Sequence, residues 1–432
     1  MLHKIKSLGH GVVAKAARKS TPKGEYLVGL DIGTEFVKAL IGRVVGGRIE
    51  IIGVGRAHQG LPDMQAGAIA DIAAVVANCD DALNQAEKQA GLSVRPTVIG
   101  IAGELVKGIT TTVRCRRKDP ARELDISEIE RIIGLVQARA EERAKKQLAW
   151  ELGGKDVEIR LVNSALVSIE IDGYPVTSPV GFTGKEVVVQ LYTAFAPTIH
   201  IAALERTAQE LDVDLVAVAA EPFAVARSVV GDGGETSTSA ILMDVGGGTT
   251  DIAVLNEGGV QGTKMFGIGG RAFTRAVERE LGVDFGKAEE LKLGLSDGKT
   301  PQAKVPSVSA ALKKTLQVWT SGVELALAEF SQLDHLPHQL LLCGGGSSLD
   351  MLIDTLTESD WYTELPFTRK PTIKHIQPSQ VVGIVDKTGA VVDHTFITAM
   401  GLLRVGLDTI SQRENQTPSG SFRDRINRML RV

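Results

Sequence analysis

The sequence predicts a duplicated α/β fold, one strand–glycine turn–strand unit in each half, with a small α+β subdomain inserted into the first half. Three observations carry this expectation. Leu27-Val-Gly-Leu30 runs into Asp31-Ile-Gly-Thr34, and Ala240-Ile-Leu-Met243 runs into Asp244-Val-Gly-Gly-Gly-Thr249. Each turn continues into an apolar strand and a Gly-Gly pair, Gly46-Gly47 and Gly258-Gly259. Between the copies, from about residue 97 to 195, strand-like runs flank a helix dense in charge, Ile126 to Leu148.

In chain order, residues 1–25 carry Lys4, Lys6, Lys15, Arg18, Lys19 and Lys23 against Glu25, which reads as a disordered basic arm. Tyr26 to Leu30, Val37 to Val44 and Ile49 to Val54 are strands, and Asp71 to Gln89 is a helix with Asp71 as N-cap and Gly91 as stop. Its stripe is Ile72, Val75, Val76, Cys79, Leu83 and Ala86. The first α/β domain spans 26–96 and returns over 196–235, interrupted by the insert at 97–195. The second domain spans 236–398, with helices near Ala272–Leu281, Lys287–Lys292 and Ala310–Phe330 and a buried strand at Gln339–Leu342. A closing segment (399–410), a polar linker (411–421) and an amphipathic tail (422–432) follow.

Composition narrows the function classes. A hydrophobic fraction of 43% and a net charge of -4 fit a globular protein and give no reason to expect a nucleic-acid partner. Cys79, Cys115 and Cys343 are odd in number and far apart, so neither a disulfide framework nor a zinc site is expected, in keeping with a reducing cytoplasm. No run approaches the ~20 apolar residues of a membrane span, and Met1 to Ser20 lacks the apolar core of a cleavable signal.

The chemistry gathers at the glycine turns. A turn without side chains aims backbone N–H groups at one point and lets phosphate oxygens approach, which assigns Gly33, Thr34, Gly246, Gly247, Gly248, Thr249 and Thr250 to phosphates. Asp31, Asp244 and Asp251 stand beside them, placed to hold the water shell of a Mg²⁺ ion. A third loop, Gly344-Gly345-Gly346-Ser347, follows a buried strand and offers flat backbone for a nucleoside.

These turns and the glycine loop resemble those of the superfamily of actin, DnaK-type chaperones and sugar kinases, which implies ATP with Mg²⁺ as cofactors and an actin-like, ribonuclease H-like duplicated fold. The resemblance places Glu221, before Pro222, at the position that orients an attacking water, with Asp31 and Asp251 beside it in the catalytic set. Gly269, Gly270, Glu290 and Lys292 resemble the segments that contact ribose and base. Within the superfamily, Ile51-Ile-Gly-Val-Gly55, Pro179-Val-Gly-Phe-Thr-Gly184, Asp244 to Ala253 and Thr398-Ala-Met-Gly-Leu-Leu403 resemble the FtsA family of bacterial cell-division proteins. That implies the insert at 97–195 is the family's extra subdomain (1C or SHS2), and that the chain polymerises, recruits FtsZ to the membrane at the division septum and meets other divisome proteins through the insert. Turnover of ATP is expected to be slow at most.

In the tail, Phe422, Ile426, Met429 and Leu430 share a helical face flanked by Arg423, Arg425, Arg428 and Arg431, the composition of a helix lying on anionic lipid. One short helix anchors weakly, and self-assembly multiplies it. Two other readings remain in the same fold, a PilM-type adaptor of pilus or secretion machinery and a sugar-kinase-like phosphotransferase. The tail favours the first reading over the adaptor, and no acceptor-binding segment supports the kinase. Gly298-Lys299-Thr300 lacks the earlier glycine of a Walker A motif, since position 293 is Leu, and His335 and His338 read as a polar loop.

Overall fold

The computed structural model describes residues 25–230 and 238–414, without the side chains of 411–414. Residues 1–24 of the expected basic arm, 415–421 of the linker and the whole amphipathic tail at 422–432, with all its expected membrane contacts, lie outside the described residues.

The first half opens with β1 (Tyr26–Ile32), β2 (Phe36–Val45) and β3 (Arg48–His58), an antiparallel meander whose β1 strand is almost wholly buried. A short hairpin, β4 (Met64–Gln65) with β5 (Ala68–Ile69), leads to α1 (Ile72–Ala90). Asp71 caps α1 by accepting from the Ala74 N–H, and Gly91 ends it at a left-handed φ of 72°. The buried stripe is Val75, Cys79, Ala82, Leu83 and Ala86, while Ile72 stays exposed at the helix start. The helix lies very close on β3. A Cβ on Gly55 would come within 1.8 Å of the Ala82 carbonyl oxygen, so the approach requires glycine there.

β6 (Pro96–Ile101) pairs parallel to β1, and its apolar run is buried within the first sheet. The insert expected from residue 97 therefore builds its own sheet only from β7 (Lys107–Arg116) onward. After β7 come α2 (Ile126–Glu151), β8 (Ile159–Ile171), β9 (Tyr174–Pro175) and β10 (Glu186–Pro197). α2 buries Ile129, Ile132, Ile133 and Val136 against Ile169, Val187, Val189 and Leu191 of the sheet, and turns its charges outward. α3 (Thr198–Glu210) returns the chain to β11 (Asp214–Ala220), parallel to β6, and α4 (Glu221–Val230) starts with Pro222 in its first turn.

The second half repeats the first. β12 (Ala240–Val245), β13 (Thr250–Asn256) and β14 (Gly259–Phe266) form the meander. α5 (Gly270–Leu281), α6 (Phe285–Ser296) and α7 (Val305–Ala328) follow. β15 (Gln339–Cys343) pairs parallel to β12, then come a 3-10 turn at Gly345–Ser348, α8 (Asp350–Glu358) and β16 (Thr372–His375), parallel to β15. Strand order β3-β2-β1-β6-β11 in one half matches β14-β13-β12-β15-β16 in the other, with the same senses. That is the duplicated actin-like fold. β7 joins β14 through only Gly262↔Ile109 and Thr263↔Gly108, which makes the insert's sheet continuous with the second one.

The described residues end against the first half. β17 (Ile384–Asp386) lies beside β3, so this stretch of the expected 236–398 domain belongs to the first sheet. α9 (Ile397–Glu414) packs on β1 and α4, with Cβ atoms at Gly29 and Gly401 excluded by the Ala399 and Ala224 carbonyl oxygens at 2.6 and 2.3 Å. The helix runs through 411–414, so the expected linker at 411–421 begins in helix. The turn-forming composition that suggested a linker starts after Glu414.

Candidate functional site

The two meanders end at one cleft of about 310 Å³. It is lined from the first half by Asp31, Gly33, Thr34, Lys38 and Glu221, and from the second by Asp244, Gly246, Gly247, Thr249 and Asp251. Gly270, Lys292, Gly344, Gly345 and Gly346 complete the wall. Most of the site residues expected from sequence thus meet in one place. Five do not reach the lining. Gly248 and Gly269 pack behind it, where Cβ atoms would meet the Thr34 hydroxyl at 2.7 Å and the Gly246 carbonyl oxygen at 2.6 Å. Thr250 is buried, donating to the Ile268 carbonyl at 2.7 Å and accepting from the Trp319 indole at 2.9 Å, and so braces the Gly267–Gly270 segment. Ser347 turns inward and donates to the Gly344 carbonyl, leaving Ser348 and Leu349 on the cleft. Glu290 faces solvent beside Lys287, and its neighbour Glu289 lines the cleft instead.

Sequence reasoning missed Lys38. Its ammonium lies 2.9 Å from Asp31 Oδ2 in a nearly buried pair. The two hairpins share a register: Asp31 faces Lys38 across the β1–β2 ladder, and Asp244 faces Asp251 across β12–β13, seven residues on in both cases. The repeat therefore carried the signal for Lys38, at the position equivalent to Asp251.

The cluster's electrostatics follow from burial and crowding. Burial, then the charges of Asp31, Asp251 and Asp244, pushes the Glu221 carboxyl well above the ordinary carboxylate range. Burial and then Asp244 push Asp251 up to about 8, against the opposing Thr249 hydrogen bond at 2.9 Å. Burial opposes the charge on Lys38, but the charge and hydrogen bond of Asp31 outweigh it and raise the ammonium's pKa. One oxygen of Asp251, Oδ1, is buried with no hydrogen-bond partner among the described residues. A buried carboxyl oxygen without a partner beside glycine turns fits a donor such as a water on a metal ion.

Asp244 is held from the other half of the molecule. The Thr398 hydroxyl, in the first turn of α9, donates to Asp244 Oδ2, and both residues are buried. Thr398→Val, which keeps the shape but not the donor, is expected to cost about 2 kcal/mol. Thr398→Ser should recover most of it. Equal urea midpoints for all three proteins would show that this bond contributes nothing.

The glycine loop has its own support. His375 and His394 stack at 3.8 Å between ring centroids, 14° from parallel. His394 Nε2 lies 3.0 Å from the Ser348 hydroxyl and His375 Nε2 lies 3.0 Å from the Ser347 carbonyl oxygen. Burial, then His375, lowers the His394 pKa to about 4, so it stays neutral at physiological pH and the stack carries no repulsion from that ring.

With this geometry in place, the likenesses to known proteins become specific. A family model described as cell division protein FtsA matches residues 241–401, which include the second hairpin, the glycine loop and the start of α9. Cell division protein FtsA of Pseudomonas aeruginosa is 26% identical over 424 residues, covering 93% of this chain and 94% of that relative. The Escherichia coli protein of the same name is 25% identical and covers 94% of this chain and 98% of its own length. The chain has the actin fold and is similar to cell division protein FtsA along nearly its whole length. Its insert is of the FtsA type, set between β6 and β11 of the first half. A solved PilM-PilN type IV pilus biogenesis complex shares the fold, with a TM-score of 0.65 at 18% identity over 89% of this chain and 99% of that one. Among the described residues, no helix is long and apolar enough to cross a membrane.

Proposed function

We propose that the FtsA-like chain holds Mg-ATP between its two phosphate turns and serves as a membrane-tethered, polymerising scaffold of cell division that recruits FtsZ. The observation that supports the nucleotide reading best is the meeting of two hairpins of one topology and register around a single cleft, with the bare oxygen of Asp251 inside it. In this reading Gly33, Thr34, Gly246, Gly247 and Thr249 present backbone donors and Lys38 presents charge to the phosphates. Asp31, Asp244 and Asp251 hold the metal's waters. Gly344 to Gly346 and Ser348 take the nucleoside, with Glu289 and Lys292 at the ribose side. Bound Mg²⁺ would neutralise phosphate charge and polarise the terminal phosphoryl group. Glu221, its proton retained by burial and three neighbouring carboxyls, orients a water more readily than it deprotonates one, which suits slow hydrolysis.

The scaffold reading rests on the family likeness and on the arginine-flanked tail at 422–432. It places the protein on the cytoplasmic face of the membrane at the septum, with copies of itself, FtsZ, anionic lipid and, through the insert, other divisome proteins as partners. Co-sedimentation of the full chain and a chain lacking 422–432 with anionic liposomes and FtsZ tests it. Full-length protein is expected to carry FtsZ to the pellet with Mg-ATP, and the truncated protein to leave both in the supernatant. Equal pelleting of the two chains would overturn the tether.

A further inference from the structure

We propose that Glu35 and Arg271 form a positioning pair that locks the two phosphate turns together and sets how fast a nucleotide leaves the cleft. The proposal rests on the nucleotide reading of the cleft and adds to it a pair of residues that acts through the turns.

Arg271 sits in the first turn of α5, and its backbone N–H donates to the Gly247 carbonyl at 2.8 Å, which fixes its stem to the tip of the second turn. Its guanidinium crosses to the first half. Nε donates to Glu35 Oε2 at 2.7 Å, Nη1 to the Leu61 carbonyl at 3.2 Å and Nη2 to the Gly60 carbonyl at 3.4 Å. Glu35 belongs to the first phosphate turn, and its other oxygen meets His58 Nε2 at 2.8 Å. The Glu35 carbonyl also accepts from the Gln59 N–H, which ties the turn to the end of β3.

Beneath this pair the two turns touch with no space between them. A Cβ on Gly247 would stand 2.9 Å from the Glu35 Cβ, and one on Gly248 would stand 2.7 Å from the Thr34 hydroxyl oxygen. Both charged side chains line the cleft and are mostly covered, at 14% exposed for Arg271 and 22% for Glu35, so solvent screens them less than a surface pair. A nucleotide whose phosphates lie between the turns can pass only when the tips separate. Separation breaks the ion pair and both carbonyl contacts of the guanidinium at once, while the backbone bond to Gly247 keeps Arg271 on the second turn. The pair acts through the turns and not on the phosphates. It holds the turns at the spacing at which their N–H groups converge on one anion.

The competing reading is that Arg271 is itself a phosphate ligand, and a charge swap separates the two. Release of fluorescent N-methylanthraniloyl-ATP with Mg²⁺ from the full chain is followed by stopped flow. Glu35→Ala and Arg271→Ala are each expected to speed release roughly tenfold. The double variant should be no faster than either single one, and Glu35→Arg with Arg271→Glu should return release to within about threefold of the parent. Unchanged release in Glu35→Ala, or a swap as fast as the singles, would overturn the pair. A parent protein that binds no fluorescent nucleotide would instead sink the nucleotide reading. Hydrogen exchange without nucleotide then decides the pair: faster exchange at the amides of residues 33–36 and 246–248 in Arg271→Gln is expected, and unchanged exchange would count against it.

Discussion

Lys38→Met is expected to destabilise the unliganded protein by roughly 3–5 kcal/mol at pH 8, the usual consequence of removing one partner of a buried ion pair. Lys38 is the cation 2.9 Å from Asp31, and it faces a group that also contains Glu221, Asp244 and Asp251. Methionine keeps most of the apolar stem, so the loss reports charge and not volume. Without the ammonium, Glu221 and Asp244 lose the charge that lowers their pKa values, so burial and crowding hold both carboxyls further above their unfolded values. The sign of the pH dependence follows. A carboxyl whose folded pKa is raised binds its proton more tightly in the folded state, so the penalty is absent below the unfolded value near 4 and grows as pH rises. The defect measured by urea denaturation should therefore be large at pH 8 and shrink toward pH 5. A midpoint unchanged at both pH values would show that the carboxyl group tolerates losing its cation.

Lys38 also illustrates what in this fold was legible beforehand. The doubled Asp-x-Gly turn could be read because a glycine turn after a buried strand leaves a local signature, and two copies make it hard to miss. The partner across each ladder depends on hairpin register, which the loop length sets, and reading the repeat seven residues on from Asp31 would have found it. The choice of Glu290 over Glu289 is of the same kind. Neighbouring helix positions point about a third of a turn apart, and a lysine on the cleft at 292 places 289 on its face at i−3, not 290. By contrast, β6 looked like any apolar strand, and only its pairing to β1 and β11 assigns it to the first sheet and not to the insert. The Glu35–Arg271 contact joins residues from the two halves, and nothing local in the sequence marks it. Long-range pairing of this sort is decided by how the halves close.

Asp251→Asn should have two opposite effects, and their coexistence is the sharpest measure of what the cleft is built for. Asp251 is buried, faces Asp244 across the ladder and has its pKa raised to about 8. Such a group destabilises the fold increasingly as pH rises from about 4 toward 8, because the unfolded chain releases the proton that the folded one retains. Asparagine has no charge to bury, so the unliganded variant is expected to be more stable than the parent at pH 8, by on the order of 2 kcal/mol after allowing for a weakened contact to Thr249. The gain should narrow as pH falls. With Mg-ATP present the order reverses. Bound ligand adds stability in proportion to the logarithm of its concentration over Kd, and the variant lacks the charged oxygen that would hold a metal-bound water. Its Mg²⁺-dependent gain in ATP affinity is expected to fall by about 100-fold or more. Thermal melts with ATP alone, with Mg²⁺ alone and with both separate these terms. A variant that is more stable alone yet still gains fully from Mg-ATP would place the metal's waters on Asp31 and Asp244, whereas loss of both effects would mean that the folded protein does not raise the Asp251 pKa and that this carboxyl holds no metal-bound water. A residue that weakens the empty protein and strengthens the loaded one is retained for its ligand, and that trade is what links the buried carboxyls of this cleft to function.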